Sequence, residues 1–273
     1  MVVGSGLTPS RVRAVSQRNP KSGKRTNRSA RPLVRLCAMR GPVALVGAGE
    51  FLPAMLDFDR ALLAATGRDR PRVVILPTAS WPDGEDVFQR WAAMGVAHFT
   101  SLGAEVEPVL VRHRADAADP AASQAIGEAD LVYLSGGKPA HALESIAGTP
   151  IGRALRDANA RGAVLAGCSA GAMALAGHSF WFRVRLLPWP LRWRSGLGFV
   201  PGVTVVPHYN AWPEPLSALI ALQSPRGSVV LGIDEDTGVV GIDGSWQVSG
   251  RSRVTVWRGR HRERYRAGDT FRL

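Results

Sequence analysis

The chain has 273 residues, of which 45% are hydrophobic, and a formal net charge of +12. This composition is that of a globular protein with a core large enough to fold without disulfides, and no apolar run reaches the roughly 18 residues that a membrane-spanning helix needs. Residues 1–40 hold ten basic and no acidic residues and residues 251–273 hold eight arginines and two acids, whereas residues 41–250 carry a net charge of −4, which argues against nucleic acid as a partner of the main body.

The first forty residues are rich in Ser, Arg and Asn and have neither helical nor strand periodicity. This pattern predicts a disordered basic extension ahead of a single α/β domain over residues 41–273. The extension lacks the apolar stretch of a secretory signal. Met39 lies just before the first predicted strand, so we expect it to be the natural start; a targeting or nucleic-acid-binding arm is the alternative.

Short apolar strands alternate with amphipathic segments through the first half of the domain. The predicted strands are 43–46, 73–76, 106–111, 131–134 and 163–166, and the predicted helices are 53–65, 85–101, 120–127, 139–146 and 150–160. This alternation predicts an α/β fold with a mostly parallel sheet and helices on both of its faces. Ligands bind such sheets outside the carboxyl ends of the strands. Three Gly-rich segments, at 47–50, 136–138 and 167–171, follow strands and are expected at that one edge.

The third of these segments has the spacing of a nucleophile elbow, Gly167-x-Ser169-x-Gly171. A strand precedes it and small helix-forming residues follow it, so Ser169 is expected at a strained turn with its side chain exposed. Glycines two positions before and after the serine keep Cβ atoms out of the turn. A Gly/Ala-rich packing turn is the alternative.

Residues 178–200 combine tryptophans with arginines: Trp181, Trp189 and Trp193 with Arg183, Arg185, Arg192 and Arg194. Pro188 and Pro190 prevent one long helix. We interpret the segment as an insertion that forms a lid or an interface, with a homodimer as one expectation; base stacking is the weaker alternative. Further strands are predicted at 203–206 and 229–233, and a C-terminal antiparallel ribbon at 238–242, 245–248 and 252–257.

A serine nucleophile needs a base and a group that orients the base. Among six histidines, His208 follows a strand that Pro207 ends, so it is expected on the same sheet edge as Ser169. The acids at positions 234–236 follow another strand, and one of them could orient His208. A strand-end histidine bound to a backbone carbonyl and a solvated acidic turn are the alternatives. The amide of Ala170 and the Gly136-Gly137 loop could form an oxyanion hole.

Four segments, in this order and spacing, resemble a known family: 133–137 (YLSGG), 167–172 (GCSAGA), 207–208 (PH) and 232–237 (GIDEDT). The family is the S51 serine peptidases, which include cyanophycinases and aspartyl dipeptidases, on a fold related to class I glutamine amidotransferases. The resemblance covers about residues 41–250. It implies Ser169 as nucleophile, His208 as base, Glu235 as the acid, and Gly137 and Ala170 as oxyanion donors. The aspartyl dipeptidases have their acid between Ser and His, and no acid lies between Ser169 and His208, which favours the cyanophycinase-like arrangement with Glu235. Asp234 or Asp236 in place of Glu235 is the alternative.

The chain departs from the family at Lys138-Pro139, where a polar residue and then Gln are usual. Cys168 lies one position before the apex of the elbow, so we interpret it as a small buried residue and not as the nucleophile.

Together these features predict a serine hydrolase that cleaves a small peptide or peptide-like amide without a cofactor or a metal. Gly136 and Lys138 are expected to contact the substrate, and Lys138 with the arginines of residues 183–194 to bind a carboxylate. A catalytically silent binding or regulatory module is the alternative. The two cysteines, Cys37 and Cys168, predict no disulfide framework and favour a reducing cytoplasm.

Overall fold

The computed structural model describes residues 40–181 and 191–273, all within one unit of the chain, Ala38–Leu273. The predictions for residues 1–39, including the start at Met39, lie outside the described residues. So do those for Arg183, Arg185, Pro188, Trp189 and Pro190.

The described elements, in chain order, are β1 (Val43–Val46), α1 (Leu56–Ala65), β2 (Arg72–Leu76), α2 (Glu85–Ser101), β3 (Glu105–Pro108), α3 (Pro120–Glu128), β4 (Leu131–Leu134), α4 (Pro139–Ile146), α5 (Pro150–Ala160), β5 (Val164–Cys168), α6 (Ala170–Leu175), β6 (Ala176–Trp181), β7 (Arg192–Ser195), β8 (Val200–Val206), α7 (Glu214–Gln223), β9 (Val229–Ile233), β10 (Thr237–Ile242), β11 (Ser245–Gly250), β12 (Arg253–Arg258), β13 (His261–Arg266) and β14 (Thr270–Arg272). Short 3-10 segments lie at Pro53–Met55, Thr78–Asp83, Asp116–Ala118 and Tyr209–Ala211.

The first sheet has the strand order β14-β11-β10-β1-β5-β4-β2-β3. Its five strands from β1 to β3 in this order are parallel, and β10, β11 and β14 are antiparallel. The chain leaves the neighbouring strands β1, β5 and β4 at their carboxyl ends, so the three Gly-rich segments lie at one edge, as the sequence predicts.

Helices cover this sheet on both faces because its strands are apolar on both sides. In β1, Ala44 and Val46 pack in one cluster with Phe58 and Leu62 of α1. Val43 and Leu45 pack in a second cluster with residues of α3, α5 and α6. The predicted α/β fold with helices on both faces is therefore confirmed.

A second sheet, with the order β13-β12-β9-β8-β6-β7, shares that second cluster. Its adjacent strands β6, β8 and β9 are parallel to one another. His208 follows β8, so the expectation that His208 and Ser169 follow strands of one sheet is wrong. Strand pairing between distant segments decides sheet membership, and the local pattern does not report it.

The C-terminal strands are antiparallel but do not form one ribbon, because β10, β11 and β14 join the first sheet and β12 and β13 join the second. The described parts of the Trp/Arg segment extend β6 and form β7, which pair with each other. The helices at 85–101, 139–146 and 150–160 have the predicted bounds, whereas strand 106–111 ends early, at Pro108. No helix in the described ranges has the length and apolarity to cross a membrane.

Candidate active site

Ser169 sits in a strained backbone turn between β5 and α6, with φ 50° and ψ −110°. Positive φ is rare for residues other than glycine and marks sites where the surroundings enforce it. The flanking glycines allow the turn: a Cβ on Gly167 would lie 2.6 Å from the carbonyl carbon of Gly171, and one on Gly171 would lie 2.2 Å from the oxygen of Leu134. The turn is a nucleophile elbow in geometry as well as in spacing.

A chain of hydrogen bonds links Ser169 to an imidazole and a carboxylate. The Oγ of Ser169 lies 3.0 Å from Nε2 of His208, and Nδ1 of His208 lies 2.9 Å from Oε1 of Glu235. His208 also has a positive φ, 51°, at the end of β8. The contact between Ser169 and His208 therefore connects the carboxyl end of β5 in the first sheet with the carboxyl end of β8 in the second sheet.

Asn210 completes this arrangement and was missed in the sequence. Its Nδ2 donates to Oε2 of Glu235 at 3.3 Å, and its Oδ1 accepts from the Glu235 amide at 2.8 Å. Two hydrogen bonds lower the pKa of Glu235 below the ordinary value of a glutamate: the bond from His208 has the larger effect and the bond from Asn210 the smaller one. In the sequence, the one indication of a role for Asn210 is its position two residues after His208.

The structure separates the three consecutive acids. Asp234 is buried and accepts from the Ser252 hydroxyl at 2.6 Å, with Arg253 3.4 Å away. The amide of Asp236 donates to the carbonyl of Ala48, and its Oδ1 would lie 2.4 Å from a Cβ on Gly49. Of the three, Glu235 is the one that contacts His208.

The Gly136-Gly137 loop lies beside Ser169. Gly137 has φ +136°, and a Cβ there would lie 2.2 Å from the carbonyl oxygen of Ala79, so only glycine fits. Among the described residues, the amides of Gly137 and Ala170 have no hydrogen-bond acceptor. Two free amides near a serine are what an oxyanion hole requires.

Glu50 supports this loop and is the second residue that sequence reasoning missed. Its carboxylate is buried and accepts from the Gly136 amide at 2.8 Å and from the Cys168 thiol at 2.6 Å. The Gly136 amide is therefore not available to a substrate. The signal for Glu50 was an acid inside a Gly-rich segment that follows a strand at the same edge.

Cys168 is fully buried, and its thiol points at a carboxylate. Burial raises the pKa of the thiol well above the ordinary value, and the nearby charge of Glu50 raises it further. The thiolate is the reactive form of cysteine. Cys168 is thus held as a neutral hydrogen-bond donor, which fits its interpretation as a buried residue.

Ser169 and His208 open into a cavity of about 370 Å³, which Gly136, Gly137, Leu52, Trp91 and Met94 also line. Lys138 does not line it; its ammonium group pairs with Asp83 at 3.1 Å. The structure thus brings together Ser169, His208, Glu235, Gly136, Gly137 and Ala170, and leaves Lys138 outside. Residues 40–181 and 191–273 hold no group of three or more His, Cys, Asp and Glu side chains that could bind a metal ion.

Comparison with known proteins finds similar sequences. A sequence model of peptidase family S51 matches residues 43–248, a range that includes Ser169, His208 and Glu235. Cyanophycinase from Nostoc sp. is 28% identical over 256 residues, covering 87% of this chain and 82% of the relative. The uncharacterized peptidase YgaJ of Bacillus subtilis is 30% identical over 178 residues, covering 63% of this chain and 70% of that relative.

Two solved structures are similar. The crystal structure of a peptidase from an acI-B1 actinobacterium aligns with a TM-score of 0.78 and 30% identity, covering 87% of this chain and 98% of that one. A putative peptidase E protein from Listeria monocytogenes aligns with a TM-score of 0.56 and 15% identity, covering 78% and 100%. The second likeness concerns the fold alone.

Proposed function

Because this chain belongs to peptidase family S51 and is a serine peptidase, we propose that it cleaves a small peptide or peptide-like amide with Ser169, His208 and Glu235 as its catalytic triad. The observation that carries this proposal is the hydrogen-bond chain from Ser169 through His208 to Glu235 at a strained elbow.

In the acylation step, Nε2 of His208 takes the proton of the Ser169 hydroxyl while Oγ attacks the substrate carbonyl carbon. Glu235 accepts a hydrogen bond from Nδ1–H, which leaves the lone pair of Nε2 directed at the serine. The negative charge that develops on the carbonyl oxygen is stabilised by the amides of Gly137 and Ala170.

The tetrahedral intermediate collapses when His208 gives its proton to the leaving amine and the carbon–nitrogen bond breaks. An acyl-enzyme on Ser169 remains. His208 then removes a proton from a water molecule, which attacks the acyl carbon, and returns that proton to Oγ as the acid product leaves. The cycle consumes one water and restores the serine.

The experiment combines a fluorophosphonate probe, peptide mapping and hydrolysis of a dipeptide library. We expect the probe to label Ser169, and Ser169→Ala to lose labelling and hydrolysis together. Ser245→Ala removes a hydroxyl at an exposed position of β11 and should change neither. Full activity of Ser169→Ala, or labelling at another residue, would refute the proposal.

The alternative of a catalytically silent module requires a serine without a functional base. The 3.0 Å contact between Ser169 and His208 and the free amides beside it support the enzyme instead.

A further inference from the structure

The cavity at Ser169 has an apolar wall on the side of α1 and α2. Leu52, Trp91 and Met94 form this wall. Leu52 is 45% exposed. A cavity that apolar side chains line together with a few reactive polar groups is typical of a ligand site.

Two features of the fold hold this wall in place. Trp91 and Met94 are three residues apart on α2 and therefore share a helix face. Phe51 has a positive φ of 64°, and its ring packs against those of Tyr133 and Trp91 at centroid distances of 5.0 Å and 6.3 Å. These contacts hold the backbone at Phe51, the residue just before Leu52.

Glu50, Lys138 and Arg194 already have partners of their own. Both carboxylate oxygens of Glu50 accept hydrogen bonds, from the Gly136 amide and the Cys168 thiol. Lys138 pairs with Asp83, and Arg194 pairs with Glu144 at 2.9 Å. Neither cation lines the cavity. In the part of the chain that the structure describes, the wall therefore offers no partner to a charged side chain, and burying an unpaired charge is costly.

We propose that this cavity selects an apolar side chain, such as that of Leu, Met or Phe, on the substrate residue that supplies the scissile carbonyl. The inference rests on the proposed function of Ser169 and replaces the expectation that Lys138 binds a substrate carboxylate. We place this side chain on the acyl residue because Leu52, Trp91 and Met94 line the same cavity as Gly137, a proposed donor to the carbonyl oxygen. A cavity of about 370 Å³ accommodates one such side chain.

The test measures how fast Ser169 is modified by three aminoalkylphosphonate diphenyl esters, which carry the side chains of Leu, Asp or Arg. Modification does not require turnover, so selectivity is read directly. We expect the Leu analogue to react at least about 100-fold faster than the Asp and Arg analogues, because the latter bury an unpaired charge. Equal rates, or a faster Asp or Arg analogue, would overturn the inference.

Leu52→Lys and Leu222→Lys provide a matched pair, since both replace an exposed leucine by lysine. Leu222 lies on α7 and lines a different cavity. Leu52→Lys should shift the ratio of Asp to Leu reactivity by roughly tenfold or more toward Asp, and Leu222→Lys should leave the ratio unchanged. An unchanged ratio in Leu52→Lys contradicts the inference.

A separate fluorophosphonate reaction distinguishes failure of the proposed function from failure of the inference about the apolar wall. If fluorophosphonate fails to label Ser169, the proposed function fails and the inference fails with it. If Ser169 is labelled but the Asp or Arg analogue reacts as fast as the Leu analogue, the proposed function stands and only the inference about the apolar wall is wrong.

Discussion

Glu50 and Gly136 are 86 positions apart in the sequence, and the carboxylate of Glu50 accepts a hydrogen bond from the Gly136 amide, with 2.8 Å between oxygen and nitrogen. This bond ties the loop after β1 to the loop after β4. It fixes the backbone next to Gly137, whose amide is a proposed oxyanion donor.

Replacing Glu50 by alanine should therefore harm both folding and catalysis. The buried Gly136 amide would lose its acceptor, which costs about 1–3 kcal/mol of unfolding free energy. A displaced Gly137 amide should lower kcat about 10²-fold with little change in KM. Denaturant unfolding and steady-state kinetics measure the two effects. Glu50→Gln keeps an oxygen that can accept from Gly136 and should be milder; equal kcat values for Glu50→Ala and the wild type would contradict this role.

Cys168→Ser should keep most of the activity, because a hydroxyl can donate to Glu50 in place of the thiol. The raised pKa of the buried Cys168 thiol also means that iodoacetamide should not inactivate the folded protein. Activity assays before and after alkylation, with mass spectrometry of the Cys168 peptide, test both expectations. Inactivation that parallels alkylation of Cys168 would show that the thiol takes part in catalysis.

Glu235→Gln should reduce kcat by about 10³–10⁴-fold, since a carboxamide does not enforce the same tautomer of His208 or stabilise its cation. Labelling of Ser169 should slow in parallel. Glu105→Gln makes the same change at an exposed position on β3 and should have no effect. A kcat for Glu235→Gln within a few-fold of wild type would exclude Glu235 as the orienting acid.

Asn210→Ala should raise the pKa of Glu235, because Asn210 is the second hydrogen-bond donor that lowers it. A carboxylate whose pKa is lowered by folding stabilises the fold above its unfolded-state pKa, and this contribution disappears as the pH falls through the folded-state value. The variant should therefore lose that contribution at a higher pH than the wild type. Carbon-13 NMR titration of the glutamate carboxyl groups measures the shift, and an unchanged Glu235 titration would rule out the bond.

Gly137→Ala should lose stability and activity together, because the added Cβ would lie 2.2 Å from the carbonyl oxygen of Ala79. Gly103→Ala is the matched control: Gly103 also has positive φ, 92°, but no atom within 4 Å of its would-be Cβ. The control should cost only the backbone strain, about 1–2 kcal/mol. Unfolding midpoints and kcat values for both variants separate backbone strain from the steric clash with Ala79. Equal losses in Gly137→Ala and Gly103→Ala would show that the clash has no effect of its own.

Most of the site's components could be identified from local patterns. The apolar strands, the small residues of the elbow and the Gly-rich loops are short-range features, and each fixes a turn or an element within a few residues. Because parallel strands place their carboxyl ends together, these features also brought Ser169 and Gly137 to one edge. The ranking of Glu235 above its neighbours came instead from the family resemblance.

Long-range packing decided the rest. The sequence by itself determined the α/β alternation, the elbow at Ser169 and, as candidates, His208 and the three acids at positions 234–236, because these depend on chain-local periodicity and turn chemistry. Only the tertiary structure decided that His208 belongs to a second sheet, that Asp234 turns inward to Ser252, and that Glu50 holds Gly136. Each of these is a hydrogen bond or strand pairing between distant segments, and such contacts form only when the whole chain has folded.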